Sequence, residues 1–142
     1  LDPEMIGFTA ELSRFRHETP ILRQMDFLHG ATRETDRRKD VEWRGFDGKP
    51  LNWSDDTLSS LCLHLRGNAE SVAGKALTDE VLLAFNRSDD DLDLLLPTAP
   101  GVWVRDIDSS EPAQTATPIS AERVCVPAQS VSAFVLKPGS AR

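Results

Sequence analysis

The hydrophobic period of this chain changes once along its length, and that change leaves few folds open to it. Near the start, Met5, Phe8, Leu12 and Phe15 recur at spacings of three and four, which lays one apolar stripe along a helix. From Val41 onward the period is two, in short runs parted by Gly, Pro and Asp. Successive residues point to opposite faces of a strand, so such runs suit half-buried strands and not a helix. The expected fold is therefore mainly β: an antiparallel β-sandwich preceded by one amphipathic α-helix.

The helix has defined ends. Asp2-Pro3-Glu4 places a capping side chain, a proline at the first helical position and an acid in the first turn. Arg14, Arg16 and His17 complement the dipole at the far end, and Pro20 stops the pattern. A lone helix cannot bury its stripe by itself, so it packs on the rest of the chain or on something outside it. Residues 25–40 are polar and read as a linker, with Arg33, Arg37, Arg38 and Lys39 in surface ion pairs. The division is thus a helical segment at 1–24, the linker at 25–40 and a sandwich at 41–142.

Within the sandwich, Val41–Arg44 is a short strand closed by the turn signal Phe46-Asp47-Gly48. Ser59 to Arg66 alternates, with Leu61, Leu63 and Leu65 on one face and Cys62, His64 and Arg66 on the other. Val81-Leu82-Leu83-Ala84-Phe85 is apolar throughout, the mark of a strand covered on both faces. Leu92–Leu96, Val102–Ile107, Arg123–Val126 and Val131–Leu136 complete the set. Ser109–Pro118, rich in Ser, Thr and Pro, is a loop. About 100 residues is the usual size of such a sandwich.

At 142 residues the chain is too short for a (β/α)₈ barrel, which takes about 200. Sixteen Lys+Arg against 23 Asp+Glu leave a net charge of −7, which argues against nucleic acid as a partner. No apolar run nears the roughly 18 residues of a membrane span. Leu1 is followed by no secretory n-region or h-region, so the expected location is cytoplasmic, with the chain processed or cut from something larger. Cys62 and Cys125 sit in apolar runs without a CxxC. They read as reduced, mostly buried thiols, one inter-strand disulfide being the alternative.

Chemistry is sparse. His17, His29 and His64 have no ligand partner at three or four residues, so no metal site and no cofactor is expected. His17 reads as a helix-end cation and His64 as an exposed strand residue. Asp89, Asp90, Asp91 and Asp93 lack calcium-loop spacing and read as a solvated tip. Asp55-Asp56 and Asp106/Asp108 are ordinary turn acids on an acidic protein. Asn52-Trp53-Ser54 and Asn86-Arg87-Ser88 match the glycosylation pattern by chance. The flat apolar faces of tryptophan suit the C–H faces of sugar rings. Trp103, between Val102 and Val104, is a packing residue. Trp43 and Trp53 flank one turn and share a surface, which makes them the candidate carbohydrate-binding residues beside the plainer reading of core or interface packing.

The order of segments carries a resemblance. Pro20-Ile21-Leu22-Arg23 and Phe27-Leu28-His29-Gly30 resemble the stretch leaving the last barrel helix in bacterial glycogen debranching enzymes and isoamylases of the alpha-amylase family. Lys39-Asp40-Val41-Glu42-Trp43 with Asp47-Gly48 is similar to that family's K-D-x-x-W…D-G segment. Asn52-Trp53-Ser54-Asp55, then Ser60-Leu61 and Leu65-Arg66-Gly67, is similar to its W-S-D…S-L…L-x-G stretch. Val81–Asn86, Val102-Trp103 with Asp106, and Pro127-Ala128-Gln129-Ser130-Val131 resemble its later segments. Many bacterial members carry D-x-D-W after the D-G turn, whereas here the Trp comes as Leu51-Asn52-Trp53. Debranching enzyme, isoamylase and trehalose-pathway relative all stay open.

The resemblance implies a C-terminal, non-catalytic β-sandwich of an enzyme that hydrolyses α-1,6 branches in glycogen or limit dextrin. Its catalytic carboxylates would lie on barrel loops upstream of the last helix, so no catalytic residue is expected in this chain. The implied partner is the catalytic barrel, met through Met5, Phe8, Leu12 and Phe15, with α-glucan as a further ligand. The alternative is a stand-alone carbohydrate-binding sandwich using Trp43 and Trp53.

Overall fold

A computed structural model describes residues 2–24, 27–34, 36–67 and 79–139. Residues 25, 26 and 35 of the expected linker, and 68–78 and 140–142 of the expected sandwich, lie outside the described residues. Helix α1 spans Pro3–Glu18. The Asp2 carboxylate accepts the Glu4 amide at 3.0 Å, which satisfies a donor that the helix itself leaves free. Thr19 ends the helix, and a 3₁₀ turn at Pro20–Arg23 follows.

Among the described residues, eight strands succeed it: β1 Val41–Arg44, β2 Ser60–Arg66, β3 Glu80–Asn86, β4 Leu92–Leu95, β5 Gly101–Asp108, β6 Thr117–Ile119, β7 Arg123–Val126 and β8 Ser130–Pro138. Six form one sheet in the order β1-β2-β3-β8-β5-β6, and β4 and β7 form a second. Every pairing is antiparallel. The β6 strand lies at the end of the stretch read from the sequence as a loop. Its three residues are too few to show a period of two. At Gly101 the strands β5 and β8 approach so closely that an added Cβ would stand 2.3 Å from the Lys137 carbonyl oxygen.

The large sheet is covered on both faces. On one, Cys62, Leu82, Ala84, Trp103 and Phe134 meet Leu94, Leu96 and Val126 from the small sheet and its flank. On the other, Leu65, Val81, Ile107, Ala133 and Val135 meet Phe15 of α1 and Ile21 of the 3₁₀ turn. The helix is thus a third layer docked on the outer face of the sheet. The alternation along β3 explains this, because Leu82 and Ala84 enter the first cluster while Val81 and Leu83 face the second.

Two expectations are corrected here. His64 is not exposed but fully buried, because the small sheet covers the face that Cys62, His64 and Arg66 share. Cys125 is exposed while Cys62 is buried, and both thiols are free. Cys125 pairs with Asp93 across the small sheet, whose outer face meets water. The Cys62 thiol is pushed up to about 12 by burial, which leaves it unreactive.

Described residues of the segment before β1 are stitched to the sheet. Asp40 accepts the amides of His29, Gly30 and Val41. Arg33 donates to the Gly67 carbonyl at 2.8 Å and pairs with Asp36. Arg38 forms a two-pronged pair with Glu80 at 2.5 and 2.9 Å.

Candidate functional site

Trp43 and Trp53 come together. Strand β1 places Trp43 opposite Leu63, on the face of the sheet that carries the helix. The chain then turns tightly: Gly48 donates to the Gly45 carbonyl at 3.0 Å, and Gly45 to that of Lys49 at 2.8 Å. Gly48 has φ +80°, a conformation that costs a side chain and suits glycine. Phe46 anchors this turn in the core, and its carbonyl accepts the Leu95 amide at 2.9 Å. Beyond it, Asn52 accepts the Ser54 amide and Asp55 the Thr57 amide. These two side-chain turns shape the loop that brings Trp53 back over Trp43.

The two indoles meet edge to face, with centroids 5.6 Å apart and planes at 76°. Trp43 is 41% exposed and Trp53 64%, so the pair is open to solvent. It stands as a ridge between two grooves of about 420 Å³ each. One is floored by Leu58, Leu61 and Phe85 and rimmed by Ser59, Ser60 and Arg87. The other is more polar, with His29, Lys39, Glu42, Pro50 and Leu51. Sequence reasoning missed Leu58, Leu61, Phe85 and Arg87. Their signal was the register, which sets Leu61 directly opposite Phe85.

The groove lies beyond the part of the sheet face that the helix end and the 3₁₀ turn cover. Phe15 and Ile21 reach Leu65 and Val81, at one end of β2 and β3. The Leu61–Phe85 row lies at the other end of the same strands, where both side chains stay half-buried. The helical stripe divides accordingly. Phe15 is buried and Phe8 packs beside it, while Met5 is 63% and Leu12 42% exposed, as is Ile6 nearby.

A second constellation lies on the opposite face of β2. His64 Nε2 is 3.0 Å from the Glu80 carboxylate, and Arg66 Nη2 is 3.0 Å from His64 Nδ1. Arg66 also donates to Glu42 at 3.0 Å and to the Lys39 carbonyl. Burial on its own pushes the Glu80 carboxyl up, but the His64 hydrogen bond and the Arg38 pair outweigh it and hold the group at about 2. Burial is also the main reason that the His64 pKa falls, the neighbouring arginines adding to it and Glu80 opposing. His64, Arg66 and Glu80 are closed to solvent and line none of the grooves, only Glu42 at the edge of the network reaching one, so the network holds β1, β2 and β3 together.

Other sequence candidates are absorbed structurally. A bulge in β5 between Arg105 and Ile107 turns Asp106 toward the helix, where it pairs with Arg14 at 2.9 Å. Asp108 pairs with Arg105 and accepts from Ser110. Asp91 accepts the Ala128 amide and Asp89 the Gln129 side chain. Asn86 is buried, and its amide donates to the carbonyls of Asp90, Val126 and Pro127, so it is no glycosylation acceptor in the fold. Among the described residues, no three His, Cys, Asp or Glu side chains gather in a way that would hold a metal ion.

The chain is similar to isoamylase 2, a chloroplastic protein of Oryza sativa subsp. japonica, at 26% identity over 110 residues. The match takes in 75% of this chain and 13% of that relative, so the chain spans a small part of the protein it matches. No protein-family model matches the chain. No helix among the described residues is long and apolar enough to cross a membrane.

Proposed function

We propose that this chain is the non-catalytic, C-terminal β-rich portion of an isoamylase-type debranching enzyme, one that hydrolyses α-1,6 branches in glycogen or a related glucan. The observation that carries this reading is the likeness to an isoamylase over 75% of the chain. The ordered motifs from Pro20 to Val131 support the same placement. In this reading α1 is the last helix of the catalytic barrel, and it joins two bodies. Phe8 and Phe15 hold it to the sheet, while Met5, Ile6 and Leu12 on its open side pack against the neighbouring barrel elements. Burying that open side would stabilise the barrel by removing apolar area from water, at about 25 cal/mol per Å².

The domain's part is mechanical. It closes one flank of the barrel and fixes its last helix, which keeps the catalytic loops in register. The test is to read the coding frame upstream of Leu1 and express the whole frame with and without residues 1–142. A barrel-encoding frame whose debranching activity and solubility fall together on deletion is the expected result. A frame with no barrel upstream overturns the proposal.

A further inference from the structure

The ridge of Trp43 and Trp53 has no structural task large enough to explain it. Neither indole is buried, and neither belongs to the two packed clusters. Trp103, by contrast, is 5% exposed and donates its Nε1–H to the Pro97 carbonyl at 2.9 Å. We propose that the ridge and the groove beside it form an accessory binding site for an unbranched α-1,4-linked glucan chain. The choice of glucan rests on the proposed debranching function; the site itself rests on the geometry.

Three features select this class of ligand. First, the groove offers bare apolar surface from Trp53, Trp43, Leu61 and Phe85, and a pyranose presents C–H faces to match it. Second, the rim offers donors without protein partners. Among the described residues, no hydrogen bond or ion pair engages the Ser59 or Ser60 hydroxyl or the Arg87 guanidinium, whereas Arg38, Arg66 and Arg105 are all paired. Open to water in the free protein, these groups can exchange that water for hydroxyl-bearing ligand edges without breaking a protein contact. Third, the charge around the ridge is mixed: Arg87 borders one groove, and Lys39 and Glu42 border the other. A polyanion or a polycation finds no complementary field there, while a neutral chain meets no penalty.

Dimensions agree. Each groove, at about 420 Å³, falls within the range of about 300–1,000 Å³ typical of small-ligand sites. A chain laid across the ridge would engage both. Because the edge-to-face contact and the turn at Gly48 set the rings in place beforehand, little freedom remains to be lost on binding.

The experiment is a titration of the 142-residue chain with maltoheptaose, read by tryptophan emission, with cellohexaose as the comparison glucan. Expected is a saturable change for maltoheptaose, half-complete at about 1 mM or below, equivalent to about −4.1 kcal/mol. Trp53→Ala weakens it at least about tenfold, or about 1.4 kcal/mol, and leaves the melting temperature in place because Trp53 is mostly exposed. Trp43→Phe and Trp53→Phe weaken it less. No change up to about 10-fold that concentration, equal affinity for cellohexaose, or undiminished binding by Trp53→Ala overturns the site. So does loss of acrylamide access to Trp43 and Trp53 within the longer protein, which would mark an internal interface. Binding by a chain whose frame encodes no barrel keeps the site and removes the domain role. A barrel upstream with no binding does the reverse.

Discussion

Arg66 donates to Nδ1 of His64 at 3.0 Å, and that contact decides the histidine's protonation. A guanidinium has no lone pair to offer, so Nδ1 accepts. The ring proton then sits on Nε2 and is given to Glu80 at 3.0 Å. Buried His64 is neutral by construction.

A pH dependence follows with a definite sign. The folded-state pKa of His64 lies below its ordinary 6.5, so below that pH the unfolded chain binds the extra proton first. Stability is complete above pH 6.5 and falls as pH drops toward the folded value. Denaturant unfolding at several pH values should show this limb, and His64→Gln should flatten it. Glu80 adds a separate acid limb, lost from 4.5 down to about 2, which His64→Gln leaves present.

Removing Glu80 strands charges that it now neutralises. Glu80→Ala leaves Arg38 without its two-pronged partner and His64 Nε2 without an acceptor. The expected cost is about 3–5 kcal/mol, as for other broken buried pairs. Arg38→Ala should cost about 1 kcal/mol or less, since the Arg38 side chain is 38% exposed. Chemical denaturation of both variants checks the ratio.

The division of the helical stripe is testable in the same way. Phe15→Ala removes a ring buried against Leu65 and Val81 and should cost about 3–5 kcal/mol. Met5→Ala in this chain should shift stability by about 0.5 kcal/mol or less. In the longer protein that the proposed function requires, Met5→Ala should cost more, because the barrel would cover it. Equal effects in both settings would argue against a barrel contact.

Asn86 closes the end of β3. Asn86→Ala abandons three carbonyls and frees the Ser88 amide and hydroxyl that its Oδ1 accepts. A loss of about 2–3 kcal/mol is expected, read as a lower melting temperature.

Much of the architecture is legible from the residues because it rests on period and punctuation. The change at Val41, the cap at Asp2-Pro3 and the apolar run Val81–Phe85 each act locally. Their consequences, a helix and antiparallel strands, need no knowledge of neighbours. The nearness of Trp43 and Trp53 is legible too, since a turn between them keeps them close. The rest of the groove is not legible there: Leu61 and Phe85 look like core residues, and only the packed structure shows them half-covered.

The clearest lesson is β2. Its alternation of Leu61, Leu63 and Leu65 with Cys62, His64 and Arg66 reads as an apolar face opposite a polar one. By itself, the pattern determined the strand and the two faces. It did not determine which face would be dry. That was decided when β4 and β7, far along the chain, folded over Cys62 and the Arg66 and Glu80 side chains compensated a buried imidazole. Local propensity acts through each residue's own backbone, so it can be read in order. Burial depends on which distant surfaces arrive, and that belongs to the tertiary structure alone.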